Sequence, residues 1–380
     1  MTDNPGIPWT ILSFLLVIGP LIFVHELGHY FVGRWFGVKA DAFSIGFGRE
    51  IAGWTDKRGT RWKLAWLPLG GYVKFAGDMN PAGQPSPEWL ALPAEERAQT
   101  FQAKPVWQRF LIVLAGPATN FLAAILILTG FNYAYGVPQT PPIIGGFGEL
   151  GQASPAAQAG LRPGDRIIRI DGQGIDRFED ILPIVALKIG GPLDLEVDRA
   201  GRRFQVDVTP RMIDEKDRFG NKSRRPVLGI ENAELVLTPA SPLGAVAASV
   251  QQCWVVVATT VKGLGQIVTG RRSVKEMGGP LKIAKFSGEQ ASMGLLAFLW
   301  FLAVISINLG FINLLPIPML DGGHLFFYGI EAVRRKPLRP EAQEWAFRTG
   351  LAALLALMIL VTFNDLASFG LWSKLGGLID

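Results

Sequence analysis

The chain of 380 residues has one cysteine, Cys253, and three histidines. A single thiol excludes an intramolecular disulfide and any multi-cysteine zinc site. A metal, if held, is held by imidazole and carboxylate. Charge is scarce too. Charged residues make up 18% of the chain against 49% hydrophobic ones, too apolar a balance for an ordinary soluble enzyme of this length. The 37 basic and 32 acidic residues leave a net +5, too small and dispersed an excess for a partner of nucleic acid. The first apolar run has no Lys or Arg before it and no small-residue cleavage site after it, so it reads as a retained segment rather than a signal peptide. Internal repeats and low-complexity tracts are also missing.

What the chain does have is long apolar runs. A helix needs roughly 20 apolar residues to cross ~30 Å of hydrocarbon. Residues 8–36, 110–135 and 293–320 meet this, and the shorter 349–364 does so with tilt or local thinning. The run "CWVVVATTV" at 253–261 is bounded by Gln251, Gln252 and Lys262, which predicts an interfacial or amphipathic helix too short to span. Between the first two spans lie many Lys and Arg residues, among them Arg34, Lys39, Arg61, Lys63, Lys104 and Arg109, and Arg334, Arg335, Lys336 and Arg339 lie between the last two. Basic loops stay in the cytoplasm. Four spans with both termini outside satisfy this pattern, and they place the long segment between spans two and three outside the cytoplasm.

That segment changes character. "SPAAQAGLRPGDRIIRIDGQGI" punctuates short β-type runs with Gly, Pro and Asp, and "PLDLEVDRAGRRFQVDVTP" alternates about a turn at 199–202, a hairpin signal. A small soluble domain is expected here, and the charged "RMIDEKDRFGNKSRRP" beyond it reads as linker or loop.

Inside the first apolar run stand His25, Glu26 and His29. Ionisable side chains at bilayer depth are costly and mark function. On a helix His25 and His29 lie one above the other on one face, with Glu26 about 100° around. This HExxH spacing suits two neutral imidazoles on Zn²⁺, with the adjacent carboxylate as base toward a water whose pKa the metal has lowered. A catalytic zinc takes three protein ligands, so one more is required. "NLLPIPMLDGGHLFF" supplies Asp321 and His324, and Pro316 and Pro318 break the helix there, which at membrane depth is tolerated only beside a protein-lined or watered cavity. On chemistry alone either residue qualifies.

"HELGH", "GPATN" at 116–120, "NLLPIPMLDGG" and the segment between the last two, which resembles a PDZ domain, occur in the order found in the site-2 protease family. More narrowly the chain resembles the bacterial regulator-of-sigma-E type of intramembrane zinc metalloprotease. The resemblance implies that His25, His29 and Asp321 hold Zn²⁺, that Glu26 is the general base, and that His324 is a neighbour. It also implies that Asn313 holds substrate or the oxyanion, for which an interhelical hydrogen bond is the structural alternative. For Gly116, Pro117 and Asn120 the residues themselves argue only close helix approach.

The expected fold is an α-helical polytopic membrane protein of about four transmembrane helices, with a membrane-associated β-hairpin region and an inserted extracytoplasmic PDZ-like α+β domain. Residues 1–136 carry spans one and two with HExxH and the β-region, 137–211 the PDZ-like domain, 212–292 an extracytoplasmic linker with amphipathic helices, and 293–380 spans three and four with the LDG motif. "RWKLAWLPLGGYVKF" at 61–75 suggests a hairpin bent at Gly70 and Gly71 and dipping toward the membrane, whose edge receives substrate as an added strand.

The function expected is hydrolysis of peptide bonds within transmembrane segments of single-pass proteins, such as anti-sigma factors or remnant signal peptides. The substrates are expected to be pre-cleaved by another protease, and the enzyme to sit in a bacterial inner membrane with the lipid bilayer as its other partner. Two readings compete, a non-catalytic PDZ scaffold and a metal transporter using buried His and Asp as transit ligands. The intact HExxH and LDG motifs argue against the first, and the placement of Glu26 against the second.

Overall fold

A computed structural model describes residues 6–77, 89, 91–187, 191–216, 222–233, 236–270, 278–336 and 338–368. The chain forms two compact units, one of residues 1–130 with 246–380 and the other of residues 131–245.

The first unit is helical with one β-region. Its longer helices are α1 (Ile7–Trp35), α2 (Val106–Tyr135, whose last turn runs into the second unit), α3 (Pro242–Val268), α4 (Pro280–Ser292), α5 (Leu295–Asn313), α6 (Asp321–Arg334) and α7 (Pro340–Ser368). Among the described residues five helices are long and apolar enough to cross a membrane, namely α1, α2, α3, α5 and α7. The chain is a multi-pass membrane protein. The run at 253–261, expected to be too short to span, is the middle of α3, 27 residues long. Gln251, Gln252 and Lys262 bound the run of apolar residues but not the helix, because a polar side chain on one face leaves the backbone ladder intact.

Small residues set how closely these helices approach. A Cβ at Gly28 of α1 would strike the Ala115 carbonyl of α2, and one at Gly310 of α5 would lie 3.0 Å from the Pro117 carbonyl of the same helix. Buried polar side chains fasten the same faces, with Thr119 Oγ1 donating to the Val24 carbonyl and Ser306 Oγ to the Asn120 carbonyl.

The β-region consists of two long strands, β1 (Ala40–Thr55) and β2 (Arg61–Phe75). Residues 61–75 are thus one bent strand rather than the expected hairpin. The turn lies earlier, where Asp56 Oδ1 accepts from the Arg58 and Thr60 amides, and Gly70 and Gly71 bend the strand. Gly46 and Gly48, both at positive φ, bend β1 correspondingly. Residues 40–45 pair on one side with 71–75 and on the other with 61–64, while 50–55 pair with 61–65. Among the described residues no strand pairs with the outer side of 70–75, which is therefore an edge. A core of Tyr30, Phe43, Phe75, Phe101, Ile112 and Tyr328 seats this region against α1, α2 and α6.

The second unit holds a four-stranded antiparallel sheet of β3 (Arg166–Ile170), β4 (Gln173–Gly174), β5 (Leu193–Arg199) and β6 (Arg202–Val208) in the order β4-β3-β5-β6. Leu193, Leu195 and Val197 alternate inward and pack with Ile167, Ile170 and Ile181 of the helix Ile181–Leu187. Beyond it the expected linker is instead a further hairpin, β7 (Arg211–Lys216) with β8 (Lys222–Val227), in which Arg211 pairs with Val227. Residues 236–238 then pair back onto 137–139.

Candidate metal centre and active site

The pitch of α1 sets His25 and His29 one turn apart, His25 buried and His29 half-buried, with Glu26 buried beside them. Asp321 arrives from the first turn of α6, almost 300 positions along the chain. His25 Nε2 lies 3.0 Å from Asp321 Oδ2, His29 Nε2 lies 3.5 Å from the same oxygen, and the two Nε2 atoms are 3.3 Å apart. Among the described residues this is the group of His, Cys, Asp and Glu whose ligand atoms converge closely enough to hold a metal.

The donor set fits zinc. Tetrahedral bonds of about 2.0–2.1 Å place ligand atoms roughly 3.3 Å apart, close to all three observed edges. His29 Nδ1 lies 2.8 Å from the Ile112 carbonyl oxygen, which can only accept, so Nδ1 carries the proton and Nε2 presents its lone pair. Asp321 Oδ2 is buried with no hydrogen-bond partner. Lone pairs brought together this way repel unless a cation lies among them.

A broken backbone puts Asp321 in place. Between α5 and α6, residues 314–320 leave the helix at Pro316 and Pro318, and Met319 takes a φ of +82°, a strained value for a side chain of its size. The two glycines after Asp321 follow from the return path. A Cβ at Gly323 would stand 2.9 Å from the Ile317 carbonyl carbon, and one at Gly322 would meet the Leu314 and Leu315 carbonyls. Gly350 of α7 packs on the same loop, where an added Cβ would stand 2.8 Å from the Pro318 carbonyl oxygen. On the cytoplasmic side of the expected topology, Arg109 of α2 donates to Glu331 of α6 at 2.8 Å and stacks over Tyr328, tying the helix that bears Asp321 to the one that bears Ile112.

A cavity of about 560 Å³ opens onto the triangle. Ile112, Val113, Leu309, Phe75 and Phe101 give it apolar walls, and His324, Asn313, Gly70 and Gly71 line it as well. His324 stands outside the ligand triangle, its ring packed on Phe347 at 4.8 Å between centroids. Asn313, at the end of α5, has no hydrogen-bond partner for its side chain among the described residues. The interhelical bond weighed for it belongs to Asn308, whose Oδ1 accepts from Thr260 at 2.8 Å. Gly70 and Gly71 lie on the β-edge. A Cβ at Gly71 would meet Ile22 Cγ2 at 2.6 Å and Glu26 Cγ at 2.9 Å, and the Val73 amide faces the Glu26 carboxylate. The unpaired strand and the buried acid therefore face each other across one gap.

Two residues of the second-span motif do more than let helices approach. Gly116 underlies both imidazoles, and Asn120 meets His25 Nδ1 at 3.0 Å. A contact across 95 positions leaves no trace in local spacing.

Residues 13–357 match the model of peptidase family M50. A protein of Agrobacterium fabrum described as a putative zinc metalloprotease is 44% identical over 363 residues, covering 94% of this chain and 96% of that one. The metalloprotease MmpA of Caulobacter vibrioides is 37% identical over 392 residues, covering 97% and 98%. Among solved structures, the PDZ domain of an SdrC-like protein of Listeria innocua covers 26% of this chain and all of its own at 18% identity, with a TM-score of 0.20.

Proposed function

The chain belongs to peptidase family M50, and from that premise we propose that it is a zinc metalloprotease that cuts peptide bonds inside the membrane, in transmembrane segments of single-pass proteins. The observation that carries the reading is the convergence of His25, His29 and Asp321 beneath an apolar cavity, with Glu26 buried beside them and an unpaired β-edge facing them.

The three side chains hold the metal, which when bound supplies the Lewis acidity that acidifies a water and polarises a carbonyl. Glu26 takes the proton of the attacking water and returns it to the leaving amine. A helical substrate hides its peptide bonds in its own hydrogen bonds, so it must be drawn out into a strand. Residues 70–75 offer that strand free N–H and C=O groups, and Gly70 and Gly71 keep the approach clear of side chains. Asn313, with its amide uncommitted, donates to the carbonyl oxygen as charge develops there. Phe75, Phe101 and Ile112 keep bulk water out and suit the aliphatic side chains of a membrane segment.

The basic loops support a β-region at the cytoplasmic face of a bacterial inner membrane with the PDZ-like second unit on the opposite side. The natural substrates are proteins already shortened by another protease, such as anti-sigma factors, or signal peptides left by secretion. The test compares the wild-type protein with Glu26→Gln in detergent, measuring zinc content and cleavage of a model single-pass substrate. About one zinc per chain in both, with cleavage by the wild type alone, supports the reading. Equal cleavage by both sinks it.

A further inference from the structure

Asn120 is wholly buried in α2, and its side-chain amide lies 3.0 Å from His25 Nδ1. Its backbone is fixed by the same helix contact, since its carbonyl accepts from Ser306 of α5 at 2.8 Å. Among the described residues, two buried side-chain atoms lack a hydrogen-bond partner, Asn120 Oδ1 and Asp321 Oδ2. Both belong to residues in contact with the His25 ring, one on each side of it. Resting on the metal centre proposed above, we propose that Asn120 is the positioning residue for His25: its amide oxygen accepts the Nδ1 proton and so turns the Nε2 lone pair toward the metal.

Asn120 and Ile112 then form a matched pair. An imidazole binds a metal through one nitrogen only when the other carries its proton, and the group accepting that proton fixes both tautomer and ring angle. His29 has a backbone carbonyl for this purpose, the oxygen of Ile112. His25 has no such carbonyl within reach among its hydrogen bonds, and the partner it does have is Asn120. The two ends of a carboxamide have the same shape, so a half-turn of the amide puts Oδ1 on Nδ1 within the same space. That half-turn removes the unpaired oxygen and makes the two histidines equivalent toward the metal. Both acceptors come from α2, eight residues apart, about two turns along one helix. One helix therefore sets the tautomers of both imidazoles on the other.

The role predicts a rank order. Asn120→Leu keeps the branched outline and the number of side-chain heavy atoms and has no acceptor. Asn120→Asp keeps an acceptor oxygen at the same reach. Zinc affinity of the full-length protein, measured by chelator competition, should fall about 10- to 100-fold in Asn120→Leu, the usual effect of losing such a partner, and stay within a few-fold of wild type in Asn120→Asp. A structural role alone would not move the ring chemistry, so the second readout is ¹⁵N spectroscopy of ring-labelled histidine, resolvable because the chain has three. Zinc-loaded wild type should show His25 protonated at Nδ1 and bound through Nε2, and Asn120→Leu should show that pattern weakened at His25 while His29 keeps it. Wild-type affinity in Asn120→Leu, or an equal loss in both variants, overturns the role of Asn120. A wild-type protein that binds no zinc, or a His25→Ala variant that binds it fully, overturns the metal centre and this inference with it.

Discussion

Gly116 of α2 lies so close under His29 that a single methyl group at its α-carbon would clash with the Nε2 and Cε1 atoms, and would stand 2.9 Å from His25 Nε2 as well. The glycine is needed at this position for the metal ligands rather than for the helix. Gly116→Ala should raise the intrinsic helix propensity of α2 and still damage the site. Overpacking of this kind costs about 1–3 kcal/mol. Here the rings are the groups able to move, so zinc affinity should fall by about 10-fold or more while the thermal melt of the protein in detergent changes little. A variant that binds zinc as the wild type does would mean that the imidazoles relax freely.

The ligand triangle makes a second prediction, separate from the role of Glu26. Each corner carries one ligand atom, so His25→Ala, His29→Ala and Asp321→Ala should each lose zinc and cleavage together. His324→Ala should keep zinc, because its ring packs on Phe347 outside the triangle. Metal analysis of the four purified variants settles the assignment. Full zinc in Asp321→Ala together with its loss in His324→Ala would exchange the two.

The helical spacing of His25 and His29 was readable because a four-residue interval has one meaning on a helix. For the third ligand the residues alone leave Asp321 and His324 open, and it is the resemblance to the site-2 protease family that points to Asp321. The strand β1 was not readable. Its pattern is interrupted by Gly46, Gly48 and Gly53, of which the first two bend it around its partner, and the alternation that would mark a strand is lost. The full length of α3 was obscured by Gln251, Gln252 and Lys262, which interrupt the apolar run without ending the helix. The environment of His25 depends on a residue 95 positions away, and only packing brings the two together.

The β-edge carries a third prediction. A side chain at Gly71 would meet Ile22 and Glu26 and push the strand off α1, and Gly70, at a φ of +152°, has the Phe47 ring where a Cβ would stand. Gly71→Val should therefore displace the edge from the acid. Cleavage should drop by at least about 10-fold, the loss expected when a reacting group is misplaced by about 1 Å, with zinc content unchanged. Unaltered turnover would count against strand addition at 70–75. Loss of zinc would show that the edge also supports the metal site.

In the second unit, Asp165 is buried and meets Arg199 through two hydrogen bonds of 2.7 Å, with the Arg162 amide donating a third at 2.8 Å. Burial opposes the charge on Asp165, but the Arg199 guanidinium and the Arg162 amide outweigh it and hold the carboxyl below its usual range. A carboxylate whose pKa is lowered by folding contributes stability that is complete above its unfolded value, about 3.9, and fades as the pH falls from there toward the folded value. Arg199→Met should remove that contribution. About a third of the Arg199 side chain remains in water, so screening limits the loss. Hydrogen exchange of the β3 and β5 amides in the full-length protein should thus speed up about 10-fold near neutral pH, and the gap between variant and wild type should narrow below pH ~4 as Asp165 takes up its proton. A gap that stays constant through the acid range would mean that Arg199 stabilises the sheet by packing over Phe204, which its guanidinium also covers at 4.9 Å, and not by its charge.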